Sequence, residues 1–294
     1  MSGFMQLLVM GLMEGGLYAL VGASIVLVFK STQVVSLAQG QLLCFGALLF
    51  YLFSGPLGLL PVVALPLTFV AIGGIGFLVE RICLRPLIGQ SLLAAFLVTL
   101  GIFFLFDGVF QLILKGQPIA LPEFLPKEVM YIGKIEVPKG QLFSFIAAMV
   151  IFGLLGLLFQ YTKIGLGMKA AAEHHKLAQS TGISVKNIFS MVWILSAVVA
   201  SASGIAAANI MDIYYSLPYI GIKGLIVALF GGLDSIPGAL LGGIILGVFE
   251  YVSARYLDPV VGGGVKEVAA YVMLLLILIV KPYGLFGQVR IERI

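Results

Sequence analysis

An all-α bundle of about eight or nine membrane-crossing helices is the fold this sequence predicts. Three observations carry the prediction. Of the 294 residues, 61% are hydrophobic and 10% charged, with a mean hydropathy of +1.16; soluble domains run near half apolar and about a quarter charged. Apolar runs near the length a bilayer core requires, about 20 residues, recur along the whole chain. One polar, basic, helix-prone stretch, residues 161–187, stands between two such runs. A membrane protein that keeps one large basic segment on one side presents it to a soluble partner.

The elements follow in chain order. Phe4–Phe29 is too long for a signal-peptide core and lacks a basic flank, so it reads as a retained helix. Val34–Phe53, Leu59–Val79 and Leu92–Leu114 are the next runs. The segment 115–140 is the only sizeable polar stretch before the basic one, and it carries Pro118, Pro122, Pro126 and Pro138. Within it, Val129–Val137 has a central Gly133-Lys134 pair that suits a small hairpin. It reads either as a lid tying two helix ends or as a docking surface. Leu142–Phe159 and Ile188–Ala208 flank the basic segment. Tyr219–Phe230 is short, which predicts a broken or tilted helix enclosed by protein. Ile236–Tyr251 and Glu267–Val280 complete nine runs. One membrane domain over residues 1–294 is expected.

Basic residues orient the chain. With nine spans, ten Lys and Arg fall on the side holding residues 161–187 and seven on the other. The positive-inside rule therefore places 161–187 and the C-terminus in the cytoplasm and the N-terminus and 115–140 outside.

Several chemistries are excluded. The chain has no G-x-x-x-x-G-K-[ST] loop, so it does not bind ATP by that route. No Cys/His cluster offers a metal site, no catalytic constellation is visible, and nothing points to nucleic acid. His174 and His175 are adjacent and diverge by about 100° on a helix, so they read as solvated surface. Cys44 and Cys83 read as structural thiols.

Three acids fall in apolar runs. Asp107 and Glu250 lie toward the outer ends of theirs and read as hydrated carboxylates at the interface. Glu14 is deeper, followed by Gly15-Gly16, and is a functional candidate, since an ionisable group in a span is costly. No chain of acids and histidines crosses the spans as a proton relay would need. Polar residues also break the pattern at Ser31–Gln41. Side chains at such depth face protein or water, so Ser36, Gln39 and Gln41, with Glu14 and Thr99, are candidates for a solute pathway. Glycines cluster at 231–243, where Gly238 and Gly242 form a small-xxx-small packing pair.

Four segments resemble the permease subunits of branched-chain amino acid ABC importers, on the side of their "H" subunit. Gly11-Leu-Met-Glu-Gly15-Gly-Leu-Tyr18-Ala-Leu is similar to the first-helix pattern. Ser36-Leu-Ala-Gln39-Gly40-Gln41 is similar to a pattern usually read Asn-Phe-Ala-His-Gly-Glu. Gly165-Leu-Gly-Met-Lys169-Ala-Ala-Ala-Glu173, with Ala178 and Gly182-Ile183, resembles a cytoplasmic coupling helix. Gly231-Gly-Leu-Asp-Ser-Ile-Pro-Gly-Ala-Leu-Leu-Gly-Gly243 resembles a Gly-Gly-x-Gly-Ser-x-Pro-Gly signature. The resemblance implies a bacterial inner-membrane permease without a cofactor of its own. Its expected partners are a second similar permease, two cytoplasmic ATP-binding subunits, an external solute-binding protein and membrane lipid. Lys169, Ala170, Ala171, Ala172, Glu173 and Gly182 would then couple the bundle to an ATPase, on a helix over Met168–Thr181 ended by Gly182.

The chain departs from these patterns at Ser36, Gln39, Gln41 and Asp234. Two ionisable groups are thereby missing from the pathway. Related importers carry urea, short amides and organic acids, so the solute stays open between these and branched-chain amino acids. A self-sufficient secondary transporter or channel is the alternative. The scarcity of membrane acids and the long basic segment argue against it.

Overall fold

The computed structural model describes residues 2–173 and 184–287. Its helices are α1 (Ser2–Thr32), α2 (Ala38–Ser54), α3 (Pro61–Val79), α4 (Leu92–Leu114), α5 (Lys139–Tyr161), α6 (Lys163–Glu173), α7 (Val185–Met211), α8 (Pro218–Gly231), α9 (Ile236–Val261) and α10 (Val265–Val280). Strands β1 (Val129–Ile132) and β2 (Ile135–Pro138) form one antiparallel hairpin. Each of the nine apolar runs coincides with a helix, and among the described residues α6 lies in the basic stretch. Among the described residues, six helices have the length and hydropathy to cross a bilayer: α1, α3 with its continuation to Leu87, α4, α5, α7 and α9. Helices α2 and α8 are apolar but shorter.

Burial sorts the helices by what surrounds them. Helix α1 is enclosed for most of its length, whereas α4 and α5 are mostly open. Their open faces carry Phe104, Leu105, Leu112, Val150 and Leu154, and Ile279 and Val280 continue this on α10. An exposed apolar surface this extensive is a lipid-facing surface.

The core is built on contact between backbones. Without a hydrophobic drive between helices in lipid, close packing of small residues takes its place. Gly11 and Gly15 of α1 meet Gly243 and Gly247 of α9 across this contact. A Cβ on Gly247 would lie 2.2 Å from the Gly11 carbonyl oxygen, and one on Gly15 would lie 2.5 Å from that of Gly243. Helix α7 packs against α1, α2 and α3 and completes the interior.

Helix α8 is short, as its apolar run predicts, and enclosed by protein, but it is one unbroken helix over Pro218–Gly231 and not the broken element expected. It follows Asp212, whose φ of +61° stops α7, and most of its residues are buried. At its far end, residues 282–287 fold back on it. The Leu285 amide donates to the Phe230 carbonyl at 2.8 Å and that of Phe286 to Gly231 at 3.1 Å. They satisfy carbonyls that a helix C-terminus leaves unpaired. Ser235 then caps α9, accepting from the Gly238 amide at 3.0 Å.

The hairpin turns at Gly133-Lys134, as its sequence predicts. Gly133 takes a φ of +65° at the first turn position, which suits glycine there. Gln6 of α1 holds the hairpin through both backbone groups of Glu136, at 2.6 and 2.8 Å. Lys139 pairs with Glu128, and its hydrogen bond holds the Glu128 carboxyl below the usual carboxylate range. Ile119 pairs with Ile213 by two hydrogen bonds of 2.9 Å. The hairpin, the N-terminal end of α1 and the α7–α8 link therefore share one face.

Candidate functional site

Among the described residues, three polar groupings lie inside this apolar bundle. The first is at the start of α2. Two residues apart on a helix, side chains diverge by about 200°, so Gln39 and Gln41 face different neighbours. The Gln39 amide donates to Ser196 Oγ of α7 at 3.3 Å. The Gln41 amide donates to Asp107 Oδ1 of α4 at 3.0 Å, and Gln111 donates to Oδ2 at 2.6 Å. Thr99 donates to Phe96 O at 2.9 Å and approaches Val35 O at 3.4 Å, just before Ser36. Ser36, Gln39, Gln41 and Thr99 are fully buried. The side-chain oxygens of Ser36, Gln39 and Gln41 have no hydrogen-bond partner among the described residues. Leaving such a group unsatisfied costs about 1–3 kcal/mol, and the hydroxyls of Ser31 and Ser201 share this condition elsewhere in the bundle.

The second grouping is ionic and draws on four helices. Glu14 and Tyr18, one turn apart on α1, meet Lys223 of α8, Glu250 of α9 and Lys266 and Glu267 of α10. Lys266 donates to both Glu14 oxygens at 2.7 and 2.9 Å. The Tyr18 hydroxyl reaches Glu14 at 2.6 Å and Glu250 at 2.9 Å. Lys223 Nζ lies 3.0 and 3.1 Å from the two Glu250 oxygens, 3.3 Å from the Tyr18 hydroxyl and 3.5 Å from Glu267. A cavity of about 290 Å³ opens beside them, toward Ser216 and Tyr219 of the α7–α8 link and α8. That places its mouth on the hairpin face.

This corrects the sequence reading at three residues. Glu14 does not join Gln39, Gln41 and Thr99; it is tied to Lys266 by the second grouping. Glu250 is not a hydrated carboxylate at the interface but is fully enclosed, because Lys223 neutralises it. Lys223, one of the seven basic residues that the sequence count assigned to the outer side, is buried inside the bundle. Tyr18, Lys223 and Lys266 were missed as site residues. The available signal was a lone lysine inside the apolar run 219–230, which demands a carboxylate partner.

The third grouping lies at the opposite end. Helix α3 ends in a wide turn, Glu80–Leu84, which brings Arg85 back onto the buried Glu80 in a two-pronged contact, both at 3.1 Å. Ser190 of α7 joins them, 2.8 Å from Glu80 and 2.7 Å from Arg85. A cavity of about 220 Å³ lies alongside, between Glu80, Ser91 and Trp193.

The basic stretch opens with α6, five residues earlier than Met168 where sequence placed its start. Thr162 causes this: its hydroxyl accepts from the Gly165 amide at 3.1 Å, a helix cap. Gly165, Met168 and Ala171 face inward, and a Cβ on Gly165 would lie 2.4 Å from the Leu158 carbonyl. Ala171 is therefore core and not a contact patch. Ala170 is half-buried, while Leu166 and Lys169 are exposed. Ala172 and Glu173 close the described part of α6. Gly182, and with it the expected end of the helix, falls outside the described residues.

A multi-pass helical membrane bundle with polar groups buried along its interior is the class these features define. The chain belongs to the family described as "Branched-chain amino acid transport system / permease component", whose profile matches residues 7–281. This is a family of transport permeases and not of catalytic enzymes. The chain is 26% identical to the high-affinity branched-chain amino acid transport system permease protein BraD of Pseudomonas aeruginosa, over 99% of this chain and 98% of that protein. It is 25% identical to LivH of Escherichia coli K12, over 99% and 98%, and 29% identical to a probable LivH of Methanocaldococcus jannaschii, over 92% and 89%. Among solved structures, PsaBC from Streptococcus pneumoniae in complex with Fab superposes with a TM-score of 0.49 at 14% identity. That likeness is too remote to bear on function.

Proposed function

We propose that this chain is the permease subunit of an ATP-driven importer and forms the path for branched-chain or other hydrophobic amino acids. It sits in the bacterial inner membrane with about nine spans, the N-terminus outside and the C-terminus inside. It works with a second similar permease, two cytoplasmic ATP-binding subunits and an external solute-binding protein, and it holds no cofactor itself. The family match over nearly the whole chain carries this reading. The relatives' names supply the solute class, and the absence of a phosphate-binding loop in the sequence supports borrowed energy.

Ser36, Gln39, Gln41 and Thr99 form the inner polar part of the path. Their neutral groups offer hydrogen bonds without fixing a charge. The exposed face of α6, at Leu166 and Lys169, takes the push of the ATPase, and residues up to Gly182 extend that contact. A two-state bundle responds to such a partner only through the partner's different affinity for the two states.

The test is uptake of radiolabelled L-leucine by the assembled complex in proteoliposomes, with and without ATP. Uptake that needs ATP and the binding protein supports the reading. Uptake by this chain alone, without ATP, overturns it in favour of a secondary transporter.

A further inference from the structure

The cavity on the hairpin face has charges of both signs that the import role alone leaves unexplained. Its ammonium groups belong to Lys223 and Lys266 and its carboxylates to Glu14 and Glu267. The two partners of Lys223 are unequal. Glu250 lies behind it, fully enclosed, with both oxygens within 3.1 Å. Glu267, which also lines the cavity, touches Lys223 directly at 3.5 Å, and its side chain is 65% exposed. A contact of that kind is weak and easily exchanged. Lys223 is thus a buried cation fixed from behind, with a displaceable carboxylate on its open side.

We infer that this cavity recognises the α-carboxylate and α-ammonium groups of an amino acid zwitterion. The solute carboxylate takes the place of Glu267 on Lys223, and the released Glu267 carboxylate receives the solute ammonium. The inference rests on the import reading above. Charge balance favours it: a zwitterion adds no net charge, so the exchange only re-pairs groups already present. A solute without the ammonium would free Glu267 and leave it facing a second carboxylate. A solute without the carboxylate has nothing to offer Lys223. A cavity of about 290 Å³ admits one small molecule, and Met211, Tyr219 and Tyr271 give its rim apolar surface for a hydrophobic side chain. The mouth lies on the face of residues 115–138, through the Ile119–Ile213 pairing.

The test uses a cavity thiol. Ser216→Cys is made in a background with Cys44→Ala and Cys83→Ala, and the complete permease–ATPase complex is placed in proteoliposomes without binding protein. The modification rate by a membrane-impermeant thiol reagent is measured with L-leucine, with its α-keto acid 4-methyl-2-oxopentanoate, and with 3-methylbutylamine. L-Leucine should slow the reaction, and the other two should not. Glu267→Gln, on an exposed side chain that folding does not need, should raise the half-protecting L-leucine concentration about tenfold, the loss of one charge-assisted contact. Equal protection by the keto acid or the amine, an unchanged Glu267→Gln response, or no protection by L-leucine would each overturn the inference. L-Leucine uptake by the same complex with its binding protein is scored separately. Uptake without protection sinks this inference and leaves the import reading standing, whereas protection without uptake does the reverse.

Discussion

Lys223 has the largest consequence of any single side chain in this bundle. Removing its charge strands the enclosed Glu250 carboxylate, and breaking a buried pair from one side costs about 3–5 kcal/mol. Lys223→Met should therefore lower the thermal midpoint and yield of the purified protein sharply. Lys223→Met with Glu250→Met should recover most of the loss, because neither charge is then left alone. Thermal denaturation in detergent measures both; equal damage in the single and double variants would show that the pair is not the cause. At the other end of the polar interior, Gln39→Leu with Gln41→Leu should leave assembly intact and reduce ATP-dependent uptake about tenfold. Full uptake by a correctly assembled double variant would make these amides structural glue. The sequence made the glutamines legible because polar residues at that depth stand out locally. It did not make the ionic cluster legible, because Tyr18 and Glu250 are 232 residues apart and Lys223 and Glu250 are 27 apart. Nothing in a local window announces that pairing.

At the scale of elements, α6 shows how a helix can be read correctly and placed wrongly. Its composition marks it as a helix, but the Thr162 cap moved its start and packing turned Ala171 inward. The exposed positions Leu166 and Lys169 are then the ones to change. Leu166→Glu with Lys169→Glu should keep the protein inserted while uptake per ATP hydrolysed falls on the order of 5–150-fold, the usual range of coupling between sites. Parallel assays of uptake and ATPase activity decide this, and an unchanged ratio removes α6 from the coupling path. Gly165→Val is the structural contrast: its Cβ would sit 2.4 Å from the Leu158 carbonyl, so loss of folded protein is expected instead of uncoupling. The nine apolar runs gave nine helices because apolar segments away from water must pair their own backbone amides and carbonyls, which a helix does within itself. The short α8 was legible from its length, and the hairpin from its Gly133-Lys134 turn.

At the scale of the whole molecule, orientation remains the property to measure. Glu128→Cys should be modified by impermeant reagent only from outside, and Lys169→Cys only from inside. The reverse pattern inverts the molecule while leaving its packing intact. Which helices surround which was beyond the sequence, since glycine-rich stretches say that something comes close but not what. The answer is that α1 and α9 meet through Gly11, Gly15, Gly243 and Gly247, main chain on main chain. Where main chain meets main chain there are no rotamers to switch and little slack to take up, and the Tyr18–Glu250 contact ties the same two helices through side chains. The two helices then form a stiff spine that turns only as one piece. A transporter built around such a spine must take its stroke elsewhere, where helices meet through flexible groups such as Gln39 on Ser196 and Gln41 on Asp107.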